Sequence, residues 1–288
     1  MTAAVDLAVR LSQASVKKAW DVYSIFDWPE DLDPSEHWYM SPEMISIYGT
    51  EVYGDLNETE QKRLSFYELV NLFSFVLLGE RLVNEGMTHR MYRKATVGAI
   101  TQYLHHFVDE ENKHMVMFAK FCNDYAKGVY PEKKMVLPRE YAEGEEDIAF
   151  YCCVLIVEEI GDVYNLKMMS DDRIHPLVAH INKVHHIDEA RHLSFGRQYV
   201  SELFADYSSR WSKEELVTFQ TWLSDYLASA WRDFYNPSVY RDAGLENAYG
   251  VREMALASST CREMRTGVSS KIVNFFLDNG LLAEAPEL

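Results

Sequence analysis

Two short runs of the sequence combine glutamate and histidine at helical spacing. One is Glu111-Asn-Lys-His114, and the other is His185-His-Ile-Asp-Glu189-Ala-Arg-His192. Residues three or four positions apart on a helix lie on one face, so the glutamates and histidines of each run are expected to point together. In four-helix bundles, two Glu-x-x-His elements and one Glu from each of two other helices bind a pair of metal ions. The two runs therefore predict half of such a site.

Two further segments supply glutamates in apolar surroundings. Glu80 stands in FSFVLLGERLV, with Val76 and Val83 on the same stripe, where an ionised carboxylate is costly to bury without a cation. Glu158 and Glu159 occupy the matching place in IAFYCCVLIVEEIGDVY, and the residues alone do not choose between them. Four carboxylates balance the charge of two iron(II) ions, and imidazoles complete the ligand set with positions left for dioxygen.

The prediction of a metal site depends on the combination of these elements. A single Glu-x-x-His often arises by chance, and its two side chains then simply face solvent. His185 adds to it, since it lies one turn before Glu189 on the same face and can supply a third imidazole. His186 is turned about 100° further round the helix, which favours a role in the core or at the surface.

The elements that must position these residues follow from proline placement. No proline lies between Pro42 and Pro131, or between Pro176 and Pro237, and each gap suits a pair of long helices. Strand signals are essentially absent. We predict long helices over about 58–87, 91–127, 146–169 and 172–205, the first capped by Asn57 or Thr59 and the last by Asp171 or Asp172.

The flanking regions are predicted more coarsely. The first 57 or so residues are expected to be irregular, with one short helix. A Ser-x-x-Glu capping box at Ser212 predicts a fifth helix, and shorter helices are expected to follow, so that C-terminal helices cover about 212–279. We predict one all-α domain over residues 1–288, with a core of helices at about 58–205.

Composition excludes several functions. The chain has 45 acidic and 28 basic residues and a formal net charge of −17, which disfavours nucleic acid and anionic membrane surfaces as partners. Its four cysteines show no Cys-x-x-Cys spacing, and no secretory signal or membrane-spanning stretch is evident. We therefore expect a cytoplasmic protein.

The order of the motifs resembles that of the non-haem di-iron N-oxygenases typified by p-aminobenzoate N-oxygenase, within the ferritin-like superfamily. The resemblance lies in GERLVNE, VDEENKHM, EDIAFYCCVLIVEE and HHIDEARH, covers about residues 60–205, and selects Glu158 over Glu159. It implies a ferritin-like four-helix bundle core with additional helices. The metal ligands that it implies are Glu80, Glu111, His114, Glu158, His185, Glu189 and His192.

The resemblance also implies a function. Members hold two iron ions, use dioxygen as co-substrate, and oxidise an amine to a hydroxylamine, nitroso or nitro product, here expected in natural-product biosynthesis. The implied partners are a small-molecule amine, free or carrier-bound, and an external electron donor; a homodimer remains open.

Residues next to the implied ligands have alternative interpretations. Asp188 is expected to orient a histidine of the neighbouring helix, with an ion pair to Arg191 or Lys183 as the alternative. Asp162, one turn after Glu158, is a second such candidate. Glu110 and Glu159 are interpreted as ordinary acidic neighbours. Five further residues are expected either to line the substrate cavity or to pack in the core: Phe73, Leu77, Phe118, Tyr151 and Leu155. Two arginines, Arg262 and Arg265, are expected either to anchor the substrate or to lie at the surface.

Three other functions share the fold class. A ribonucleotide reductase small subunit would place a tyrosine one turn after the first histidine ligand, where this chain has Phe118. A C–H hydroxylase or a desaturase remains an alternative, although the third histidine favours N-oxygenation. A non-catalytic iron-binding or iron-storage protein is a further alternative, and such chains usually lack that histidine.

Overall fold

A computed structural model of the chain describes residues 2–93, 98–131 and 140–288. Its long helices are α1 (Ala3–Lys18), α3 (Glu58–Arg90), α4 (Ala99–Tyr125), α5 (Glu145–Met168), α6 (Pro176–Tyr207), α7 (Lys213–Phe234) and α10 (Ser259–Asp278). The shorter ones are α2 (Glu51–Gly54), α8 (Pro237–Asp242) and α9 (Ala248–Ala257). Within the described ranges there is no strand, only an isolated bridge between Trp38 and Ile174, so the all-α prediction is confirmed.

Helices α3 to α6 form the four-helix core. Helix α3 packs along α4 and α5 packs along α6, while contacts of α3 with α5 and of α4 with α6 close the bundle. Helix α1 lies against α4 and α6, and α7 lies against α3 and α5. The two faces of the core are therefore covered by different parts of the chain, the N-terminal helix on one face and a C-terminal helix on the other.

Local sequence rules set several helix starts. Asn57 opens α3 in a capping box with Glu60, and Ser212 opens α7 in a capping box with Glu215, as predicted. Pro176 occupies the first turn of α6, where its missing N–H costs nothing.

The predicted caps of α6 were wrong. The side chain of His175 accepts a hydrogen bond from the backbone of Leu177 instead. Asp171 instead accepts hydrogen bonds from Ser41 and Arg173, and the bond from Ser41 ties the connection between α5 and α6 to the N-terminal segment.

Two other boundaries differ from the predictions. Helix α4 begins at Ala99 rather than near 91, because Tyr92 and Gly98 have φ angles of 62° and 76°, in the left-handed region that a helix cannot include. The predicted residues 94–97 of that helix lie outside the described ranges. Helix α1 is longer than expected, since its buried stripe consists of small residues, Ala4, Ala8, Ser12 and Ser15, rather than large apolar ones.

A helix that crosses a bilayer needs about 20 consecutive, mainly apolar residues. Across the described residues, no helix combines the length and the apolar character that crossing a membrane requires.

Candidate metal centre

The seven predicted ligands are all buried, on the faces of α3 to α6 that point into the bundle. They form two groups, and within each group one ligand atom per residue lies within 4.8 Å of the others. Glu189 belongs to both groups and would therefore help to hold each of two ions. The groups are Glu80, His114, His185 and Glu189, and Glu111, Glu158, Glu189 and His192.

Individual distances show how closely the side chains converge. His185 Nε2 lies 2.9 Å from Glu189 Oε1 and 3.4 Å from Glu80 Oε1. His114 Nδ1 lies 3.6 Å from Glu80 Oε1, and His192 Nδ1 lies 2.7 Å from Glu111 Oε1. One pair of ions could therefore be reached by all three imidazoles.

Most of the inward-facing ligand atoms form no hydrogen bond of good geometry, although several lie close to one another across the cluster. Buried polar atoms are nearly always paired, so a cluster of unpaired ones needs an explanation. The unpaired atoms are both carboxylate oxygens of Glu80, Glu111 and Glu158, Oε2 of Glu189, Nδ1 of His114, Nε2 of His185 and Nδ1 of His192. Carboxylate oxygens and imidazole nitrogens are the donors that divalent iron or manganese takes, so the residues fit a pair of such ions.

The other nitrogen of each imidazole is held by a buried partner. His114 Nε2 lies 3.1 Å from Asp188 Oδ2, and His192 Nε2 lies 2.9 Å from Glu110 Oε2. His185 Nδ1 lies 3.1 Å from Asn165 Oδ1. With one nitrogen of each ring held in this way, the second nitrogen faces the cluster, where a metal ion would select the tautomer that leaves this nitrogen free to bind it.

Asp188 and Glu110 play equivalent parts on two helices. Each directly precedes a predicted ligand glutamate, and each contacts the histidine that the other helix supplies. The guanidinium of Arg191 donates to both carboxylates and so joins the two halves. For Asp188 the structure thus shows both predicted interactions, with His114 and with Arg191. The interpretation of Glu110 as an ordinary acidic neighbour was wrong.

The N-terminal segment completes this arrangement. Trp20 Nε1 donates to Asp188 Oδ2 at 2.8 Å, and the indole stacks over the His114 ring with centroids 6.2 Å apart. Burial opposes ionisation of Asp188, but the hydrogen bond from His114 holds the pKa of this carboxyl below its usual range. Trp20 was not predicted, because nothing in the sequence of the N-terminal segment indicates which helix it packs against.

Asp162 has a different partner from the one predicted. His186 Nδ1 lies 2.6 Å from Asp162 Oδ1, and His186 is partly exposed. Asp162 thus contacts the histidine beside His185 rather than a predicted ligand. Glu159 forms an ion pair with Arg197 on the outer side of α5, in keeping with its interpretation as an ordinary acidic residue.

In the absence of cations the cluster is electrostatically strained. Burial, and after it the charge of Glu189, raises the pKa of Glu158 well above its usual range. The cluster therefore requires either bound protons or bound cations.

Aromatic rings cover the histidine side of the cluster. Phe107 stacks on the ring of His192 with centroids 3.7 Å apart, and Phe118 meets the ring of His185 edge-on at 5.0 Å. The predicted cavity residues Phe73, Phe118, Tyr151 and Leu155 are buried core residues, and Leu77 is partly buried. None of them lines the small void beside the ligands, which is instead bordered by Val76, Val83, Val157 and Gly161.

The two arginines proposed as substrate anchors lie away from the cluster. Arg265 is buried and donates to Tyr235 Oη and to the backbone oxygens of Ala255, Leu256 and Leu288, so it holds the C-terminal region together. The expectation of a surface position was therefore wrong for Arg265. Arg262 is exposed.

Comparisons with known proteins agree with this architecture. Residues 2–280 match the sequence model of the family described as p-aminobenzoate N-oxygenase AurF. The chain is 25% identical over 207 residues to the uncharacterized proteins Rv0885 of Mycobacterium tuberculosis (strain ATCC 25618 / H37Rv) and Mb0909 of Mycobacterium bovis (strain ATCC BAA-935 / AF2122/97). These matches cover 68% of this chain and 60% of the length of those relatives.

Solved structures of R2-like ligand-binding oxidases share the fold. A point mutant with an aerobically reconstituted Mn/Fe cofactor is 15% identical to this chain, with a TM-score of 0.56, and the match covers 96% of this chain and 94% of the mutant. A second point mutant, with an aerobically reconstituted Fe/Fe cofactor, is 14% identical, with a TM-score of 0.55 and coverage of 96% and 93%. At these identities the likeness establishes the ferritin-like fold.

Proposed function

Because the chain belongs to the p-aminobenzoate N-oxygenase AurF family, as its motifs predicted, we propose that it is a di-iron, dioxygen-dependent N-oxygenase that acts on a small-molecule amine. The coarser class, a ferritin-like oxidoreductase with a di-metal site, follows from the family and from the cluster of carboxylates and imidazoles. The observation that carries the proposal is the convergence of buried carboxylate oxygens and imidazole nitrogens that form no hydrogen bond and face one another across the cluster. The third imidazole, His185, supports the finer assignment.

The proposed reaction requires electrons from an external donor. An amine, dioxygen, two electrons and two protons give a hydroxylamine and water, and repetition leads to nitroso or nitro products. When bound, two iron ions supply the redox chemistry of dioxygen reduction and nitrogen oxidation. The protein holds the ions through its four glutamates and three histidines. Asp188, Glu110 and Asn165 keep the imidazoles in the ligating tautomer.

The surrounding side chains exclude water from the reacting centre. Phe107 and Phe118 cover two of the imidazoles, and Val76 and Val83 border the void beside the carboxylates. A dry apolar enclosure favours transfer of oxygen to a nitrogen lone pair over side reactions with solvent.

The test is product analysis with reduced, iron-loaded protein, dioxygen and a panel of aryl and alkyl amines. We expect about two irons per chain after anaerobic loading, and mass spectra that show oxygen added to nitrogen in at least one amine. Protein that retains one iron or fewer would contradict the metal assignment. Protein that holds two irons and leaves the whole panel unoxidised would contradict the N-oxygenase assignment.

Product analysis and size-exclusion chromatography together separate the alternatives. A C–H hydroxylase or a desaturase would modify carbon and leave the amine intact, and a storage protein would elute from size exclusion as a large shell. Phe118 against the His185 ring weighs against the radical chemistry of a ribonucleotide reductase small subunit, which uses a tyrosine at that position.

A further inference from the structure

The small void beside the cluster lies on the side of the ligands that faces away from α4. It has a volume of about 10 Å³, and the described residues that border it belong to α3, α5 and α6. Four of them are predicted ligands: Glu80, Glu158, His185 and Glu189. Each of the two ligand groups also includes one residue of α4, His114 or Glu111, and these two do not border the void. The void is therefore next to both groups and is not the centre of either.

The void has the size and polarity of a site for one diatomic molecule. A cavity of this volume has room for about one water molecule, so it is too small for an amine with a carbon skeleton. A buried water also needs about two to four polar partners. When the ligands hold ions, the border that remains consists of Val76, Val83, Val157 and Gly161. Dioxygen is small and apolar, so it suits this border better than water does.

Gly161 determines how large the void is. Within a helix, glycine is less stable than alanine because it loses more conformational freedom on folding. Close packing does not require a glycine at this position, since a Cβ atom on Gly161 would lie 3.8 Å from Val76 Cγ2, an ordinary contact. That Cβ atom would stand between two residues that border the void. A methyl group is about as large as a water molecule, so alanine would take up most of the space.

The other glycines of the core helices differ from Gly161 in this respect. On each of the three, a Cβ atom would lie 3.1 Å or less from a side chain of the neighbouring helix. They are Gly79 against Val157, Gly86 against Phe150, and Gly196 against Leu155. At these three positions a side chain fills the room that the glycine leaves. At Gly161 the room becomes part of the void.

We propose that Gly161 is a specificity-determining residue, which keeps a site for dioxygen beside the carboxylates because it has no side chain. This inference rests on the proposed dioxygen-dependent function and adds to it the residue that reserves the space for the co-substrate. Substitutions that fill the void should therefore weaken the binding of a diatomic ligand without removing the metal.

Nitric oxide is the probe for this site, because it is diatomic and binds iron(II) without consuming an amine. In anaerobic titrations of the iron(II)-loaded protein, followed by absorbance and electron paramagnetic resonance, Gly161→Ala should bind nitric oxide at least about tenfold more weakly than the unmodified protein. The iron content of the two proteins should be equal. Unchanged affinity for nitric oxide in Gly161→Ala would overturn the proposal.

Gly267→Ala is the matched control. Gly267 lies within α10, where a Cβ atom would meet nothing within 4 Å, so the same change of residue type is made away from the void. Without metal, both variants should melt at the temperature of the unmodified protein or a few degrees higher, because alanine favours the helix. Only Gly161→Ala should lose affinity for nitric oxide. An equal loss in the two variants would overturn the proposal.

A compensating change tests whether occupied space is the cause. Adding Val76→Ala to Gly161→Ala removes the methyl group nearest to the new Cβ atom, and should restore the affinity for nitric oxide to within about threefold of the unmodified value. A double variant as weak as Gly161→Ala would show that the proposal is wrong. If Gly161→Ala does not fold, Val83→Ile takes its place, because it adds a methyl group to the void from α3 and should weaken binding in the same way.

The outcomes separate this inference from the proposed function. Weaker binding of nitric oxide in Gly161→Ala, with no amine oxidised by the unmodified protein, would support the assignment of Gly161 and defeat the N-oxygenase proposal. Amine oxidation by the unmodified protein, with equal binding of nitric oxide in Gly161→Ala, would defeat the assignment of Gly161 and leave the N-oxygenase proposal standing.

Discussion

At the scale of single residues, adjacent histidines on α6 have opposite environments. His185 is buried, with Nδ1 held by Asn165 and Nε2 directed at Glu80 and Glu189. His186 is partly exposed and pairs with Asp162. The 100° rotation between neighbouring positions of a helix produces this difference, and helical spacing alone was enough to predict which of the two faces the cluster.

This contrast gives a prediction for His185. The His185→Ala protein should fold and retain most of its metal, because six predicted ligands remain, but its reaction with dioxygen should change and amine oxidation should fall by about tenfold or more. His186→Ala should behave like the unmodified protein. Stopped-flow absorbance after mixing with dioxygen, together with amine turnover, measures both. A damaging His186→Ala, or a silent His185→Ala, would show that the third-ligand assignment is wrong.

The carboxylates behind the histidines give a second prediction. The carboxylate of Asp188 contacts His114, accepts a hydrogen bond from Trp20 and pairs with Arg191. Asp188→Asn removes the negative charge of this group, so metal affinity should fall about 10- to 100-fold. Glu159→Gln is the control, since that buried carboxylate pairs with Arg197 on the outer side of α5. Chelator competition measures the affinities. If the two variants bind metal equally well, Asp188 does not position His114.

How much of the site was predictable depends on where its contacts lie in the sequence. The convergence of the seven predicted ligands could be foreseen because each motif is local to one helix. The contact of Glu110 with a histidine could also have been predicted. In both Glu-x-x-His runs an acidic residue, Glu110 or Asp188, directly precedes the glutamate, and this repeat was not used. The role of Trp20 could not have been predicted, because its contact with Asp188 joins segments that are 168 positions apart in the sequence.

At the scale of elements, the same division between local and distant causes explains the helix boundaries. The capping boxes at Asn57 and Ser212 are four-residue patterns; the one at Ser212 was predicted, and Asn57 was one of the two caps predicted for α3. The late start of α4 depends on left-handed backbone at Tyr92, a residue type that gives no warning of it. Helix α1 was underestimated because its small buried residues are adapted to close packing against α4 and α6, which a search for large apolar stripes does not detect.

Helix α3 also carries a buried acid outside the metal cluster, and it predicts a pH dependence of stability. Glu68 accepts a hydrogen bond from Ser46, which in turn contacts Tyr240 of α8. Burial raises the pKa of Glu68 to about 7 from an ordinary value of 4.5. Between these two values the folded state binds more protons than the unfolded state, so this group makes the free energy of unfolding fall as pH rises through that window and leaves it constant above.

Glu68→Gln should remove this contribution. Relative to the unmodified protein, the variant should gain up to about 3 kcal/mol of stability at pH 8 and little at pH 5, at order of magnitude. The difference between the two proteins in denaturant unfolding at both pH values isolates Glu68 from the other titrating groups. Glu85→Gln, an exposed acid on the same helix, should show no such difference. A gain that is the same at both pH values would contradict a titrating Glu68.

At the scale of the whole molecule, the metal cluster is a meeting point of four helices that are far apart in the chain. Glu80 and Glu158 come from α3 and α5, and the histidines come from α4 and α6, so no pair of helices can form the site alone. The motifs on the four core helices could be recognised in the sequence, but the packing of α7 across α3 and α5 could not, because it joins distant parts of the chain. Assembly of the bundle and binding of metal are therefore expected to be coupled.

This coupling predicts that metal stabilises the fold. Without cations, four carboxylates share one apolar interior, and burial raises the pKa of Glu158 well above its usual range. Iron(II) or manganese(II) at about 100 times its dissociation constant adds roughly 2.7 kcal/mol, enough to raise the melting temperature by several degrees at neutral pH. The increase should shrink as pH falls, because protons compete with the ions for the same oxygens and nitrogens.

Anaerobic melting curves with and without metal measure the effect. The matched control is the double variant Glu111→Ala, Glu189→Ala, which lacks the carboxylate common to both halves of the cluster and should melt at the same temperature with and without metal. Both proteins keep the remainder of the acidic surface, so a nonspecific effect of divalent ions on a chain of net charge −17 would appear equally in the two. An unmodified protein whose melting temperature does not move at saturating metal, or a variant that gains as much as the unmodified protein, would rule out a buried site made by these residues.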